Sequence, residues 1–491
     1  MKRFIILLAA VLAAPATPSL DARPRRDGAA SAFSAPTART KSAHASAENL
    51  PTGRIVERVT TLFDAGQSYA LYLPSNYTPE RQWPILYCFD PVARGAVPVR
   101  LFSEAAERYG WIVVGSNNSR NGPLKDSFAA VAAMWEDAQR RFAVDARRVY
   151  TTGFSGGARL AVRVNFICQG CLAGVIACGA GFPPDIKPDG PIPFAFYGMA
   201  GVDDYNYPEL KLLDGTLDRL GATRHFSVFD GGHQWAPKEV CAEAIEWMEL
   251  QAIKSGRRKK DDALVETIWQ KRAAEGREHE AANKILEAYR AAAALVSDFR
   301  ALRDVTEFEA KLAQSKEAKA LRAAVSAEQE EMRRQGRKAA ELVQLIEQRN
   351  DADRRMLAVS EFKHALEELR KKAREATDSG GRRVARRVLN QVFAQYYEGA
   401  LNLRQRPQDA ALMATTLEIA AEFAPDSPQI HYELARAYAL KAERKKALAA
   451  LRAAIERGFK DAAALAGEKA FDPLRAQDEY KALVEKLKTN P

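Results

Sequence analysis

The sequence is short of the residues that hold metals. Its 491 positions include five cysteines and six histidines. Cys168 and Cys171 form a Cys-x-x-Cys pair, but no second cysteine or histidine pair is spaced to complete a zinc site. The pair also follows a helix-compatible stretch, whereas a redox motif opens one. No metal is therefore expected. Cys88, Cys168, Cys171, Cys178 and Cys241 read as core residues, with one disulfide compatible with an oxidising compartment and at least one thiol left over by the odd count. Long apolar runs are missing too, apart from Phe4 to Ala14. That run follows Met1-Lys2-Arg3 and precedes the small residues of Ala14-Pro15-Ala16, the pattern of a secretory signal peptide over residues 1–16. It is too short for a membrane span, no cysteine follows it as a lipid anchor would need, and no later segment is apolar enough to cross a bilayer. Export removes intracellular nucleic acid as a partner, so the net charge of +10 is assigned to solvated helix faces on which both signs alternate.

Proline is absent from 263 to 377, where Ala, Glu, Lys, Arg, Gln and Leu dominate, which is helical composition. Before that stretch the chain is different. Residues 17–50 are rich in Ala, Ser, Thr, Pro and Arg and read as a linker that cannot bury enough surface to order itself. Arg54 to Phe63 and Gln67 to Leu73 predict a hairpin around Asp64-Ala65-Gly66. Apolar runs at Trp83–Phe89, Trp111–Gly115, Arg148–Phe154, Ala173–Cys178, Pro193–Tyr197 and His225–Phe229 alternate with helical patterns, which predicts a parallel sheet covered on both faces. The charged run from Ser255 to Asp262 marks a boundary. The expected division is an α/β unit over 51–254, a charged helical region over 255–381, and helical pairs over 382–491. In the last part Leu434, Ala435, Tyr438, Ala447, Leu451 and Ala454 follow the small–large spacing of a tetratricopeptide repeat, which suits packing or a protein partner.

One stretch carries chemistry. Val149 to Thr152 is strand-like, Gly153-Phe154-Ser155-Gly156-Gly157 is a tight turn, and Ala158 to Phe166 is helix-compatible. Strand, G-x-S-x-G and helix together make the context of a nucleophile elbow. Glycines two before and two after the serine remove side chains that would clash. A plain strand–helix turn with a capping serine would use the same letters. A serine hydroxyl needs a base. Among the histidines only His233 directly follows a predicted strand in a glycine-rich loop, Phe229-Asp230-Gly231-Gly232-His233. The orienting acid belongs after the strand ending at Tyr197, where Asp203 and Asp204 both stand; Asp204 is preferred and Asp203 is the alternative.

Residues 51–252 resemble the α/β-hydrolase superfamily and are most similar to compact secreted esterases related to polyhydroxyalkanoate depolymerases and feruloyl esterases. The resemblance rests on Ser155 in Gly-Phe-Ser-Gly-Gly, Asp204 in Gly-Val-Asp-Asp and His233 in Gly-Gly-His-Gln-Trp, and covers less than half of the chain. It implies an α/β-hydrolase, mostly parallel sheet, here followed by an all-α region with tetratricopeptide-like repeats. It also implies cofactor-free acyl transfer on a small or polymeric ester. Gly156 N–H is the expected first oxyanion donor. The usual His-Gly-Gly loop is replaced by Phe89-Asp90-Pro91-Val92-Ala93-Arg94-Gly95, and Pro91 has no N–H, so the second donor is assigned to Val92. Trp235 and Tyr205 stand at strand ends where they would line the cleft, as do Asn117 and Asn118. Only a short Pro/Gly-rich link joins the strands near Cys178 and Pro193, which predicts an open cleft. A peptidase of the same fold and an inactive scaffold are the rival readings.

Overall fold

The computed structural model describes residues 50–489 except 169, 317, 352 and 405. The expected signal peptide, and the linker up to residue 49, lie outside the described residues. Strands β1 (Ile55–Thr60) and β2 (Ser68–Tyr72) form the antiparallel hairpin. The Asp64 side chain sets its turn by accepting from Gly66 N–H at 2.9 Å, a turn built by an aspartate bonding its own backbone two residues on. Then follow β3 (Trp83–Phe89), α1 (Ala96–Tyr109), β4 (Ile112–Ser116), α2 (Leu124–Arg141), β5 (Val144–Phe154) and α3 (Gly156–Cys168). Strands β6 (Gly174–Cys178) and β7 (Ala195–Gly201), α4 (Tyr207–Arg219), β8 (Arg224–Phe229) and α5 (Lys238–Lys254) complete the unit.

The eight strands are ordered β1-β2-β4-β3-β5-β6-β7-β8, parallel from β4 onward. This is the α/β-hydrolase sheet. Every residue of β3, β4, β6 and β7 is buried, as expected when helices cover both faces. Side chains alternate between the faces. Ile85, Tyr87 and Phe89 pack with α2, α3 and α4, whereas Leu86 and Cys88 pack with α1 and α5. Strand β5 begins earlier than the apolar pattern predicts. Val144 pairs with Trp83, then the register jumps to Val149 against Ile85. Asp145 gathers the extra residues by accepting from Arg147 N–H and Arg148 Nε, both at 3.0 Å. Cys168 and Cys171 are paired as a disulfide, while Cys88, Cys178 and Cys241 are buried thiols.

From Asp262 the described chain is helical. Helices α6 (Asp262–Ala281) and α7 (Ile285–Phe299) share a core with α5 through Leu250, Ile253, Ile268, Trp269, Leu295 and Phe299. Asp298 ties α7 to the sheet, accepting from Trp247 Nε1 at 2.7 Å and facing His225 at 3.3 Å. After α8 (Thr306–Lys316) come the long α9 (Lys319–Gln348), α10 (Arg355–Ala373), α11 (Gly380–Asn402), α12 (Ala410–Phe423), α13 (Pro428–Leu440), α14 (Arg444–Glu456), α15 (Ala462–Gly467) and α16 (Asp478–Thr489). Neighbours in this series pack on one another around a second core, in which Ala435, Ala447, Leu451, Ala454, Met413 and Leu417 are buried. The small side chains let the helix axes approach, and Phe471 and Leu474 close the far end. Among the described residues no helix is long and apolar enough to cross a membrane.

Candidate active site

The parallel strands all end at the same edge of the sheet, and the functional side chains gather there. Ser155 stands between β5 and α3 with φ at 52°, a left-handed value that costs a non-glycine residue energy and that the turn enforces. Its N–H donates to Cys178 O at 2.8 Å, which fixes the turn against β6. A Cβ on Gly153 would collide with the carbonyl of Gly157, and a Cβ on Gly157 with the carbonyl of Phe89. Both neighbours are backbone and neither can yield, so these two positions require glycine.

His233 comes from the loop after β8. Its Nε2 lies 2.9 Å from Ser155 Oγ and its Nδ1 lies 2.9 Å from Asp204 Oδ1. With the proton on Nδ1 directed to Asp204, Nε2 is left to accept from the serine hydroxyl. The rings of Phe154 and Tyr205 lie 4.7 and 4.3 Å from the imidazole and restrain its plane. Asp204 is fully buried. Its Oδ1 also accepts from Asn206 N–H at 2.8 Å, which holds the carboxylate in place at the entry to α4. Asp203 does something else: its Oδ2 accepts from Arg386 Nη1 at 2.7 Å. Of the two aspartates, then, Asp204 meets the histidine. The arrangement can take a proton from Ser155 and steady the imidazolium that results.

The oxyanion side departs from expectation. Gly156 N–H opens α3 and, among the described residues, donates to no protein acceptor. Val92 does not match it. Its N–H donates to Asp90 Oδ1 at 3.0 Å, so a substrate oxygen would have to displace a carboxylate. The cause is the buried Asp90 side chain, which also receives Arg94 Nε and Nη2, each at 3.0 Å, and so organises the whole loop. Trp235 is likewise not an exposed substrate contact. It is only 8% exposed, and its indole N–H donates to Asp90 Oδ2 at 2.9 Å. It is a strut joining the histidine loop to the loop after β3. Tyr205 stays at the site, half-buried beside His233, and burial pushes its hydroxyl well above the usual range. Asn117 and Asn118 brace the hairpin by bonds to Glu57 O and Gly66 O.

Among the described residues the link between β6 and β7 carries no helix or strand that could form a cap. Helices α9 and α11 come over the acid loop. Gln335 Nε2 on α9 donates to Tyr205 O at 2.8 Å. Arg387 on α11 donates from Nε to Val202 O at 2.7 Å, with Nη2 on the same oxygen, and its guanidinium lies 4.3 Å from the Tyr207 ring. With Arg386 on Asp203, residues 202, 203 and 205 are all held from the helical region, on both sides of Asp204. Glu398, further along α11, lies within electrostatic reach of His233 and Arg159. Burial pushes its carboxyl up, and the nearby His233 and Arg159 pull it partly back. None of these helical contacts has a local sequence signal, because each pairs residues more than a hundred positions apart. Among the described residues no three His, Cys, Asp or Glu side chains cluster as metal ligands do.

No protein-family model matches the chain, and no curated protein does. Among solved structures it is similar to a fluorophosphonate-binding serine hydrolase of Staphylococcus aureus, with 14% identity and a TM-score of 0.34 over 40% of this chain and 98% of that one. It is also similar to a feruloyl esterase module from Clostridium thermocellum, with 17% identity and a TM-score of 0.32 over 40% of this chain and 89% of that one. A third likeness is to esterase 2 of Thermogutta terrifontis, with 11% identity and a TM-score of 0.32 over 40% of this chain and 91% of that one.

Proposed function

We propose that this chain is an exported serine ester hydrolase that works through Ser155, His233 and Asp204. The observation that carries the reading is the pair of 2.9 Å contacts linking Ser155 Oγ to His233 and His233 to a buried carboxylate. His233 takes the hydroxyl proton as Ser155 attacks the ester carbonyl, and it returns that proton to the leaving alkoxide. The carbonyl oxygen becomes an oxyanion beside Gly156 N–H, where the start of α3 favours negative charge. Water, activated by the same imidazole, then releases the acid. The signal-peptide pattern of residues 1–16 supports export.

A fluorophosphonate probe tests the reading directly. The wild-type chain is expected to form one covalent adduct at Ser155 and to hydrolyse short-chain nitrophenyl esters, and Ser155→Ala to do neither. A panel of aryl esters and dipeptide amides separates ester hydrolysis from peptidase action. A wild-type chain that forms no adduct would leave the scaffold reading in its place.

A further inference from the structure

The site has one oxyanion donor in plain view and lacks the expected second. Pro91 has no N–H, and Val92 N–H is engaged by Asp90. We propose that the side-chain carboxamide of Asn121 is the second donor. The inference rests on the ester-hydrolase reading above and adds a catalytic residue to it.

Three observations lead there. The first is position in the sheet. Strand β5, which carries Ser155, has β6, β7 and β8 on one side and β3 and β4 on the other. The acid and histidine loops follow β7 and β8, so they occupy one flank of the nucleophile. The oxyanion belongs on the opposite flank, above β3 and β4. Asn121 lies there, in the loop after β4, and its N–H donates to Pro91 O at 2.8 Å. It therefore leans on the very residue that cannot donate.

The second observation is contact. A Cβ built on Gly156 would fall on the Asn121 carboxamide, 2.7 Å from Cγ and 3.1 Å from Nδ2, with Oδ1 nearer still. The carboxamide thus rests on the Cα of the residue whose N–H is the first donor. Only glycine at 156 leaves room for it. The third is availability. Among the described residues neither end of the Asn121 carboxamide bonds to a protein group, and the residue is exposed. An amide free at both ends can turn its NH2 toward a developing charge at no cost in broken bonds. Its other neighbours leave the role open: Arg120 N–H donates to Ser127 Oγ, and Val92 is bridged to Arg120.

The step balances as ordinary acyl transfer. Ser155 Oγ bonds to the carbonyl carbon, the C=O π pair moves onto oxygen, and the proton goes to His233 Nε2. The oxygen then takes hydrogen bonds from Gly156 N–H and Asn121 Nδ2. When the tetrahedral centre collapses, the pair returns to carbon and the alkoxide leaves with the His233 proton. Asn121 makes a stronger bond to the oxyanion than to the neutral carbonyl, so it acts on kcat rather than on KM.

The experiment compares wild type with Asn121→Ala and Asn121→Asp on a nitrophenyl ester and on its thionoester, whose C=S sulfur is a poor hydrogen-bond acceptor. Fluorophosphonate labelling of the wild type accompanies it. Asn121→Ala is expected to lower kcat on the oxygen ester by about 10²- to 10³-fold with KM nearly unchanged, the usual cost of one lost oxyanion donor. Asn121→Asp, which cannot donate when ionised, should lose at least as much. The preference for the oxygen ester over the thionoester should shrink in both variants, which a merely structural defect would not cause. Unchanged kcat in Asn121→Ala overturns the proposal, as does a loss of kcat that leaves the oxygen-to-sulfur preference intact. A wild-type chain that labels and turns over keeps the ester-hydrolase reading in either case; one that forms no adduct overturns both.

Discussion

Replacing Arg387 tests whether the helical region takes part in catalysis. Arg387 is only 2% exposed and gives two hydrogen bonds to the carbonyl of Val202, two residues before Asp204. A hydrogen bond from a charged donor contributes about 1.5–3 kcal/mol. If about 2 kcal/mol of that holds the acid loop in register, Arg387→Ala should lower kcat/KM about 30-fold, since each 1.36 kcal/mol is a factor of ten. Arg387→Lys should recover only part, because an ammonium cannot reproduce the planar two-point contact. Steady-state hydrolysis of a nitrophenyl ester measures the effect. Arg387 touches no reacting atom, so it is a positioning residue and needs a second readout. In an Asp204→Asn background the loop has already lost its working carboxylate, and Arg387→Ala should then cost almost nothing more. Full activity in Arg387→Ala, or a loss that simply adds to that of Asp204→Asn, would refute the argument.

Asp204→Asn should lower kcat by about 10⁴-fold by upsetting the imidazole tautomer, while Asp203→Asn, which touches only the Arg386 contact, should lose far less; kcat on one ester ranks the two. Gly153→Ala should cost about 3 kcal/mol or more, because the new methyl meets the carbonyl of Gly157, whereas Gly190→Ala meets nothing; circular-dichroism melting compares them. Glu328 on α9 hydrogen-bonds Tyr207 and pairs with Arg290. Burial raises its pKa, but the bonds and charge of Arg290 outweigh that and hold it below the ordinary range. A depressed folded value means that its stabilisation is present above the unfolded value, about 4.3, and is lost as pH falls through the depressed one. Glu328→Gln should therefore melt lower than wild type at pH 7 and converge with it as pH falls below that depressed value.

The parts of the site that could be read in sequence were those set by local rules. The elbow declares itself because its glycines, its strand and its helix fall within twenty residues. His233 emerges because so few histidines exist and only one directly follows a strand. The choice of Asp204 over Asp203 needed the backbone turn into α4, where Asn206 N–H engages one carboxylate and Arg386 engages the other. Val92 N–H and the Trp235 indole are engaged elsewhere for a shared reason. Asp90 binds both, and nothing in Phe89-Asp90-Pro91 announces that a buried carboxylate will take up the loop's own N–H groups. The start of β5 was misplaced because a register jump hides three charged residues, Asp145, Arg147 and Arg148, inside a strand. The reach of α9 and α11 over the acid loop depends on tertiary packing alone, which a pattern of helical residues does not specify.

That reach has a consequence for timing. Ribosomes release the sheet first, and a domain begins to fold as it emerges. Yet Val202, Asp203 and Tyr205 find their partners on Gln335, Arg386 and Arg387, which are made much later. A half-made chain would therefore present Ser155 beside an acid loop that lacks these contacts. On the proposed reading, competence would arrive with the last third of translation, and a truncated product would be not merely shorter but disarmed.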